Sequence, residues 1–259
     1  MAVADVVKAL RQYQDDLLEK SKGKDPDFVG FANDPTQRDA NNLLLNDDFA
    51  LLLAVIFDQS MRAEAAWRYP YQLLKNSQLG HLNPLKLSKI HLVDLDNIFE
   101  QTRPGLHYWR VASSRTIRAA HMVIDKYHGD ASMIWRKASP SVIEERLRAF
   151  DGIGQKKSSM LVNILYRDLN RIILTPEQLS EINVSNDVQI QRVFIRTGLV
   201  TRLTERQIVA AGRTHSPDYP GKLDLPAWVI GRESCDNQAP KCDECVLSKC
   251  CPKLIHYQT

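Results

Sequence analysis

The segment Leu147-Arg148-Ala149-Phe150-Asp151-Gly152-Ile153-Gly154-Gln155-Lys156-Lys157 decides the fold of this chain. Helical spacing of apolar residues leads into it, and a second helix is expected from Gln155 to about Arg167. Gly152 and Gly154 permit a positive φ and a close backbone approach, which predicts a tight turn between the helices. Free N–H groups at the start of the second helix attract phosphate, so this helix-hairpin-helix is a candidate for binding a DNA backbone. The alternative is a tight turn with no binding role.

Helical spacing extends along most of the chain, and strand patterns are scarce. The apolar run 49–57 follows capping residues at 46–48, which predicts a buried central helix. Ser141 and Glu144 predict a capping box at the start of the first hairpin helix. The best strand candidate is the short stretch 171–174. The predicted fold class is therefore all-α.

Composition and length limit the class of protein. The chain has 259 residues, of which 44% are hydrophobic and 25% are charged, and this excludes wholesale disorder. The longest apolar run, Phe49–Phe57, is too short to span a bilayer. The first twenty residues lack the apolar core of a signal peptide. We therefore expect a soluble, intracellular protein with no membrane partner.

The positive charge is concentrated in the middle of the chain. Residues 101–171 hold 13 Lys and Arg against 6 Asp and Glu, whereas residues 1–100 hold 11 against 15. Residues 172–259 are balanced at 10 against 10. A concentrated basic stretch suits a polyanion such as nucleic acid, although a solvated basic surface would give the same count.

All five cysteines lie within seventeen residues near the C-terminus, in the pattern Cys235-x6-Cys242-x2-Cys245-x5-Cys251 with Cys250 beside the last. An odd number crowded into one short stretch indicates a metal site and not a disulfide framework. Four thiolates on such a loop can hold zinc or an iron–sulfur cluster. From the residues alone, Cys250 could replace Cys251.

Two further residues are candidates for chemistry. Lys156 lies in the first turn of the second hairpin helix beside Lys157, where the helix dipole and the neighbouring charge predict a lowered pKa for its amine. A lowered pKa suits a nucleophilic lysine, and a phosphate-contacting or solvated lysine is the alternative. Asp187 precedes an apolar helical face and is an expected N-cap, a role that is compatible with a functional carboxylate.

These segments together resemble the endonuclease III family of DNA glycosylases, in matching order from about Asp47 to Pro252. The resemblance implies that Lys156 is the catalytic lysine and Asp187 the catalytic aspartate. It implies a [4Fe–4S] cluster, and by its register Cys251 is the fourth ligand. The implied ligands are Cys235, Cys242, Cys245 and Cys251. The implied DNA contacts are Gly152, Ile153, Gly154, Gln155 and Lys157, with Gln59 or Ser60 probing the space left by an extruded base.

The resemblance also implies an architecture and a function. It implies two helical domains with a DNA-binding cleft between them, one covering residues 45–170 and the other covering 1–44 together with 171–259. The implied function is excision of a damaged or modified base from double-stranded DNA, with AP lyase activity through a lysine Schiff base. We expect a monomer in the cytoplasm, associated with the nucleoid if the source is prokaryotic.

Two rival functions and several departures from the family pattern remain. A catalytically silent protein that binds damaged DNA, or a zinc-containing structural protein, would share parts of these motifs.

The stretch from Lys156 to Asp187 is longer than usual, which predicts an insertion within 171–184. Gln189 stands where the family often has histidine. These departures leave the excised base open.

Overall fold

A computed structural model describes residues 3–22, 35–59, 61–102 and 108–255. These residues contain no strand, and the all-α prediction is confirmed. None of their helices combines the length and apolar character needed to cross a membrane. Two 3-10 helices, at Ala131–Ile134 and Pro220–Leu223, accompany the α-helices. The α-helices are α1 (Val3–Ser21), α2 (Pro35–Asn46), α3 (Asp48–Phe57), α4 (Ala63–Lys75), α5 (Pro84–Leu87), α6 (Leu92–Thr102), α7 (Trp109–Tyr127), α8 (Pro140–Arg148), α9 (Gln155–Arg167), α10 (Pro176–Leu179), α11 (Val188–Arg196), α12 (Glu205–His215) and α13 (Asp224–Glu233).

The central helix α3 is apolar on every side. Every residue from Phe49 to Phe57 is buried, as expected for a helix that other helices surround. Asp47 caps it, because its Oδ1 accepts hydrogen bonds at 2.9 Å from the backbone N–H groups of Phe49 and Ala50. The predicted buried helix is therefore present with its predicted cap.

The buried apolar side chains form two clusters. The first surrounds α3 and draws on helices from α2 to α9, and the second joins α1 with α11, α12 and α13. Helix α2 packs against α3 and α4, so the predicted domain boundary at residue 44 falls inside this packing. The division into the two domains stays a prediction.

The hairpin joins α8 to α9, and the two helices pack against each other. Gly152 has a φ of +88°, so this position needs glycine, whereas Gly154 has an ordinary φ of −100°. A methyl group on Gly152 would also lie 2.7 Å from Cζ of Arg115. Helix α7 therefore contacts the turn and brings an arginine to its surface.

Two local predictions are wrong. Glu144 does not form a capping box, because its carboxylate accepts hydrogen bonds from Ser159 Oγ at 2.7 Å and from Asn183, while the Ser141 hydroxyl bonds to Glu181. The stretch 171–174 is irregular and not a strand. Its first residue, Arg171, is held by an ion pair to Asp48, and its third, Ile173, is almost fully exposed.

Candidate active site

A cavity of about 440 Å³ lies between residues of the two apolar clusters, a volume in the usual range for a ligand site. Among the charged residues that line it, three from different elements come together. Lys156 comes from the first turn of α9, Asp187 stands immediately before α11, and Asp58 follows the end of α3. The fold thus brings together two residues that the sequence singled out and adds a third.

The amine of Lys156 lies between the two carboxylates. Its Nζ is 3.0 Å from Oδ2 of Asp187 and 3.7 Å from Oδ2 of Asp58. The Lys156 side chain is 38% exposed, whereas those of the two aspartates are 7% and 8% exposed. The amine is therefore the part of this group that an entering molecule meets first.

The pKa of Lys156 is raised, which corrects the expectation from sequence. Burial alone would lower the pKa of this amine, and this is the largest single effect. The charges of Asp58 and Asp187, with the hydrogen bonds to them, together outweigh burial. The helix dipole was visible in the sequence, but the proximity of two distant carboxylates was not. The resting amine is an ammonium, and it must lose a proton before it can act as a nucleophile.

Asp187 is held in place from two sides. As predicted, it caps α11, and its Oδ1 accepts a hydrogen bond from the N–H of Gln189 at 2.8 Å. The preceding residue, Asn186, donates its N–H to Oε1 of Gln155 at 2.7 Å. Gln155 also donates to the carbonyl oxygen of Val184 at 2.8 Å. Gln155 therefore links α9 to the segment that carries Asp187.

The residues predicted to contact DNA divide into two groups. Gly154 is exposed and Gly152 is half-buried, so both glycines of the turn reach the surface. Ile153 and the side chain of Gln155 are buried. Lys157 is also buried, and its Nζ donates a hydrogen bond to the carbonyl oxygen of Ile56 at 2.8 Å. Burial lowers the pKa of Lys157 to about 8, and this side chain presents no charge at the surface.

The segment predicted to probe the extruded base is placed differently. Gln59 is exposed, and its Oε1 accepts a hydrogen bond from Arg115 at 2.5 Å, outside the cavity. Ser60 lies outside the described residues. The preceding residue, Asp58, enters the cavity, and sequence reasoning missed it. The available signal was an aspartate directly after the apolar run 49–57.

Sequence reasoning also missed the other polar residues that line the cavity. Arg167, at the far end of α9, is buried and pairs with Asp168 at 2.6 Å. Asp224, the first residue of α13, is buried and accepts the N–H of Ser185 at 2.7 Å. Burial raises the pKa of Asp224 to about 6. Trp67 of α4 lines the same cavity and is fully buried.

The cysteine loop forms a separate small cavity of about 30 Å³. The thiols of Cys235, Cys242, Cys245 and Cys251 line it, and Cys250 does not. Burial raises the pKa of the thiols of Cys245 and Cys251, and the neighbouring cysteines raise it further. In the described part of the chain, no group of three or more histidine, cysteine or acidic side chains is arranged to hold a metal ion as it stands.

Three N–H donors point at the sulfurs of this loop. Arg196 Nη1 lies 3.4 Å from the Sγ of Cys235, and the N–H of Leu247 lies 3.4 Å from that of Cys245. The N–H of Lys253 lies 3.3 Å from the Sγ of Cys251. Hydrogen bonds to sulfur are typical of iron–sulfur sites, where they tune the reduction potential. Four thiols that face one shared space, three of them with an N–H donor, are the ligand chemistry that iron–sulfur clusters use.

Comparison with known proteins reveals two related sequences. The chain is 22% identical to endonuclease III of Thermotoga maritima over 221 residues, which cover 85% of this chain and 90% of that protein. It is 24% identical to the chloroplastic endonuclease III homolog 1 of Arabidopsis thaliana over 218 residues and spans 48% of that protein. The resemblance to the endonuclease III family is confirmed. No protein-family model matches the chain.

Solved structures share the fold. A trapped covalent intermediate of endonuclease III with DNA aligns over 98% of this chain and 97% of the other, with a TM-score of 0.65 and 17% identity. A thermostable thymine-DNA glycosylase aligns over 95% of this chain and 96% of the other, with a TM-score of 0.62 and 12% identity. The chain therefore has the same overall fold as these two structures.

Proposed function

We propose that this chain is a DNA repair glycosylase that excises a damaged or modified base from double-stranded DNA and then acts as an AP lyase. The observation that carries the proposal is the 3.0 Å contact between the Lys156 amine and the Asp187 carboxylate inside a 440 Å³ cavity. The similarity to endonuclease III, one structure of which is a covalent intermediate with DNA, supports the same chemistry.

The proposed reaction begins when a nucleotide leaves the DNA stack and enters the cavity. The ammonium of Lys156 transfers a proton to Asp187, and the free amine attacks the anomeric carbon of the sugar. The bond between this carbon and the base nitrogen breaks, and the base departs with the bonding electron pair. The protonated Asp187 then gives this proton to the departing base, and its restored carboxylate stabilises the positively charged sugar adduct, because a buried carboxylate interacts strongly with a nearby cation.

The lyase step follows from the covalent bond to Lys156. After the sugar ring opens, the nitrogen and the former anomeric carbon form a Schiff base. This iminium group makes the neighbouring carbon acidic, so a proton leaves the carbon and the 3′ phosphate departs by β-elimination. Water then hydrolyses the Schiff base and releases the amine. A chain without Lys156 would remove a base without cutting the strand.

We propose that the hairpin turn holds the DNA backbone beside the cavity. α9 has no side-chain cap, so N–H groups at its start are available to a phosphate. The turn at Gly152 and Gly154 would supply these contacts, with Arg115 of α7 beside it. In this proposal the DNA lies across the cleft between a domain of residues 45–170 and a second domain of 1–44 with 171–259.

We propose that Cys235, Cys242, Cys245 and Cys251 hold a [4Fe–4S] cluster. Bound there, the cluster would join four points of the loop that follows α13, and it would offer redox chemistry. The proposed base excision uses none of these bonds. The N–H donors to the sulfurs, including that of Arg196, support the proposed cluster.

A catalytically silent DNA-binding protein is the rival function. Such a protein needs the hairpin but has no use for an amine held between two buried carboxylates. Burying two carboxylates beside one cation costs free energy. Groups of this kind cluster at functional sites, which favours the enzyme.

Borohydride trapping tests the enzyme directly. The protein is incubated with a duplex containing an abasic site, and borohydride reduces any Schiff base to a stable adduct. We expect an adduct with the unaltered chain and none with Lys156→Ala. Lys8→Ala, which changes an exposed lysine on α1, is the matched control and should trap normally. Undiminished trapping by a folded Lys156→Ala protein would refute the assignment of the nucleophile.

A further inference from the structure

One face of α9 runs from the reactive amine to the far end of the cavity. Lys156, Met160, Ile164 and Arg167 all line the cavity, at spacings of four, four and three residues. Residues at these spacings lie on one face of a helix. Because a helix rises 1.5 Å per residue, Lys156 and Arg167 are separated by roughly 16 Å along the axis. Met160 and Ile164 thus form an apolar stretch of the cavity wall between Lys156 and Arg167.

Two buried donors that line this cavity lack partners. Nη1 of Arg167 and Nε1 of Trp67 are both shielded from solvent, and neither has a hydrogen-bond acceptor within the described residues. The other two nitrogens of Arg167 bond to Asp168, which fixes the guanidinium. An unsatisfied buried donor costs free energy, so such groups are uncommon without a ligand or a water molecule. Because Arg167 and Trp67 both line the cavity, a molecule bound there is a candidate for the missing acceptor.

The two donors sit in a cavity that also offers an acceptor. Guanidinium and indole N–H groups can only donate, so they match a carbonyl oxygen and cannot match an amino group. The carboxyl group of Asp224 is buried in the same wall, and its oxygens accept hydrogen bonds, one of them from the N–H of Ser185. The cavity thus combines donors for a carbonyl with an acceptor for an N–H.

We propose that this cavity selects an extruded base whose outer edge is a lactam, a carbonyl oxygen beside a ring N–H, over a base with an exocyclic amino group at that edge. Arg167 and Trp67 bind the carbonyl oxygen, and Asp224 accepts the ring N–H. The inference rests on the proposed function and names its substrate class. Deamination produces this change in DNA, since it converts the amino edge of cytosine or adenine into a lactam edge.

The test compares two bases that differ only at this edge. Duplexes carry 5-hydroxyuracil, which has the lactam, or 5-hydroxycytosine, which has the amino group. Base release is measured under single-turnover conditions, and each rate is expressed relative to trapping of an abasic duplex, which contains no base to read. We expect 5-hydroxyuracil to be released at least about tenfold faster, because the amino base leaves buried donors unpaired.

Substitutions in the cavity test whether its residues cause the preference for 5-hydroxyuracil. Trp67→Phe keeps an aromatic ring and removes one donor, and Arg167→Met keeps a long side chain and removes the second. Each is expected to reduce the preference about threefold or more. Trp135→Phe makes the same change in a buried tryptophan outside the cavity and should leave the preference unaltered.

Each outcome separates this inference from the proposed function. Equal release of the two bases, release of neither base with trapping intact, or a preference that both cavity variants leave unchanged would overturn the lactam inference alone. Failure of the unaltered chain to trap the abasic duplex would refute the proposed function and the inference with it.

Discussion

Lys157→Met should stabilise the protein at neutral pH, because the cost of burying the ammonium outweighs its attraction to the carboxylates of Asp58 and Asp151. The pKa of Lys157 is about 8 in the folded chain, against 10.5 for an ordinary lysine. The unfolded chain therefore binds this proton more tightly than the folded chain does. Between pH 8 and pH 10.5 the unfolded state is protonated and the folded state is not, so stability rises with pH and is lost as the pH falls towards 8.

The size of the effect follows from the difference of 2.5 pKa units. At pH 7 the buried ammonium costs about 3 kcal/mol, and at pH 9.5 about 1.4 kcal/mol remains. Methionine removes this cost but also loses the hydrogen bond to the carbonyl oxygen of Ile56, worth about 1 kcal/mol. We therefore expect Lys157→Met to raise the free energy of unfolding by about 2 kcal/mol at pH 7 and to change it little at pH 9.5.

Urea unfolding followed by helical circular dichroism at the two pH values measures this difference. Lys8→Met, on the exposed face of α1, should show no such dependence on pH and serves as control. An equal effect of Lys157→Met at both pH values would show that the lysine is not charged and buried as described. A large loss of stability at pH 7 would contradict the reasoning altogether.

The remaining predictions concern the site and its supports. Asp58→Asn removes one of the two charges that raise the pKa of Lys156, so the pH dependence of borohydride trapping should move to lower pH; an unchanged profile would place Asp58 outside the site. Cys251→Ser should abolish the brown colour and broad visible absorbance of an iron–sulfur cluster, whereas Cys250→Ser should retain them, since the Cys250 thiol lies outside the shared cavity; the reverse result would reassign the fourth ligand. Gly221→Ala should lower the free energy of unfolding in urea by about 1–3 kcal/mol, because its methyl group would clash with Oδ1 of the buried Asn163. An unchanged free energy of unfolding would mean that Asn163 moves aside without cost.

Much of the fold could be predicted from local patterns. The buried helix α3 follows from nine consecutive apolar residues and the cap at Asp47, and the hairpin follows from its two glycines. The pairing of Asp187 with Lys156 came from resemblance and not from spacing, because no local rule joins residues 31 positions apart. The structure places their charged atoms 3.0 Å apart.

The errors have a common physical origin. Glu144 would cap its own helix in isolation, but Ser159 and Asn183 compete for its carboxylate once the helices pack. Lys157 resembles a surface lysine in sequence, yet its position on α9 turns it toward the end of α3. In each case a contact between distant segments overrides the local preference, and such contacts are invisible in a single sequence.

Lys156 and Arg167 lie on the same helix, so α9 would couple the proposed nucleophile to the proposed selection of the base. A shift or tilt of α9, for example when DNA binds the exposed turn, would move Lys156 and Arg167 together and preserve the distance between them. Grafting residues 155–167 onto a related scaffold would transfer the amine and one wall of the cavity together, whereas the carboxylates of Asp58 and Asp187 would have to come from the scaffold.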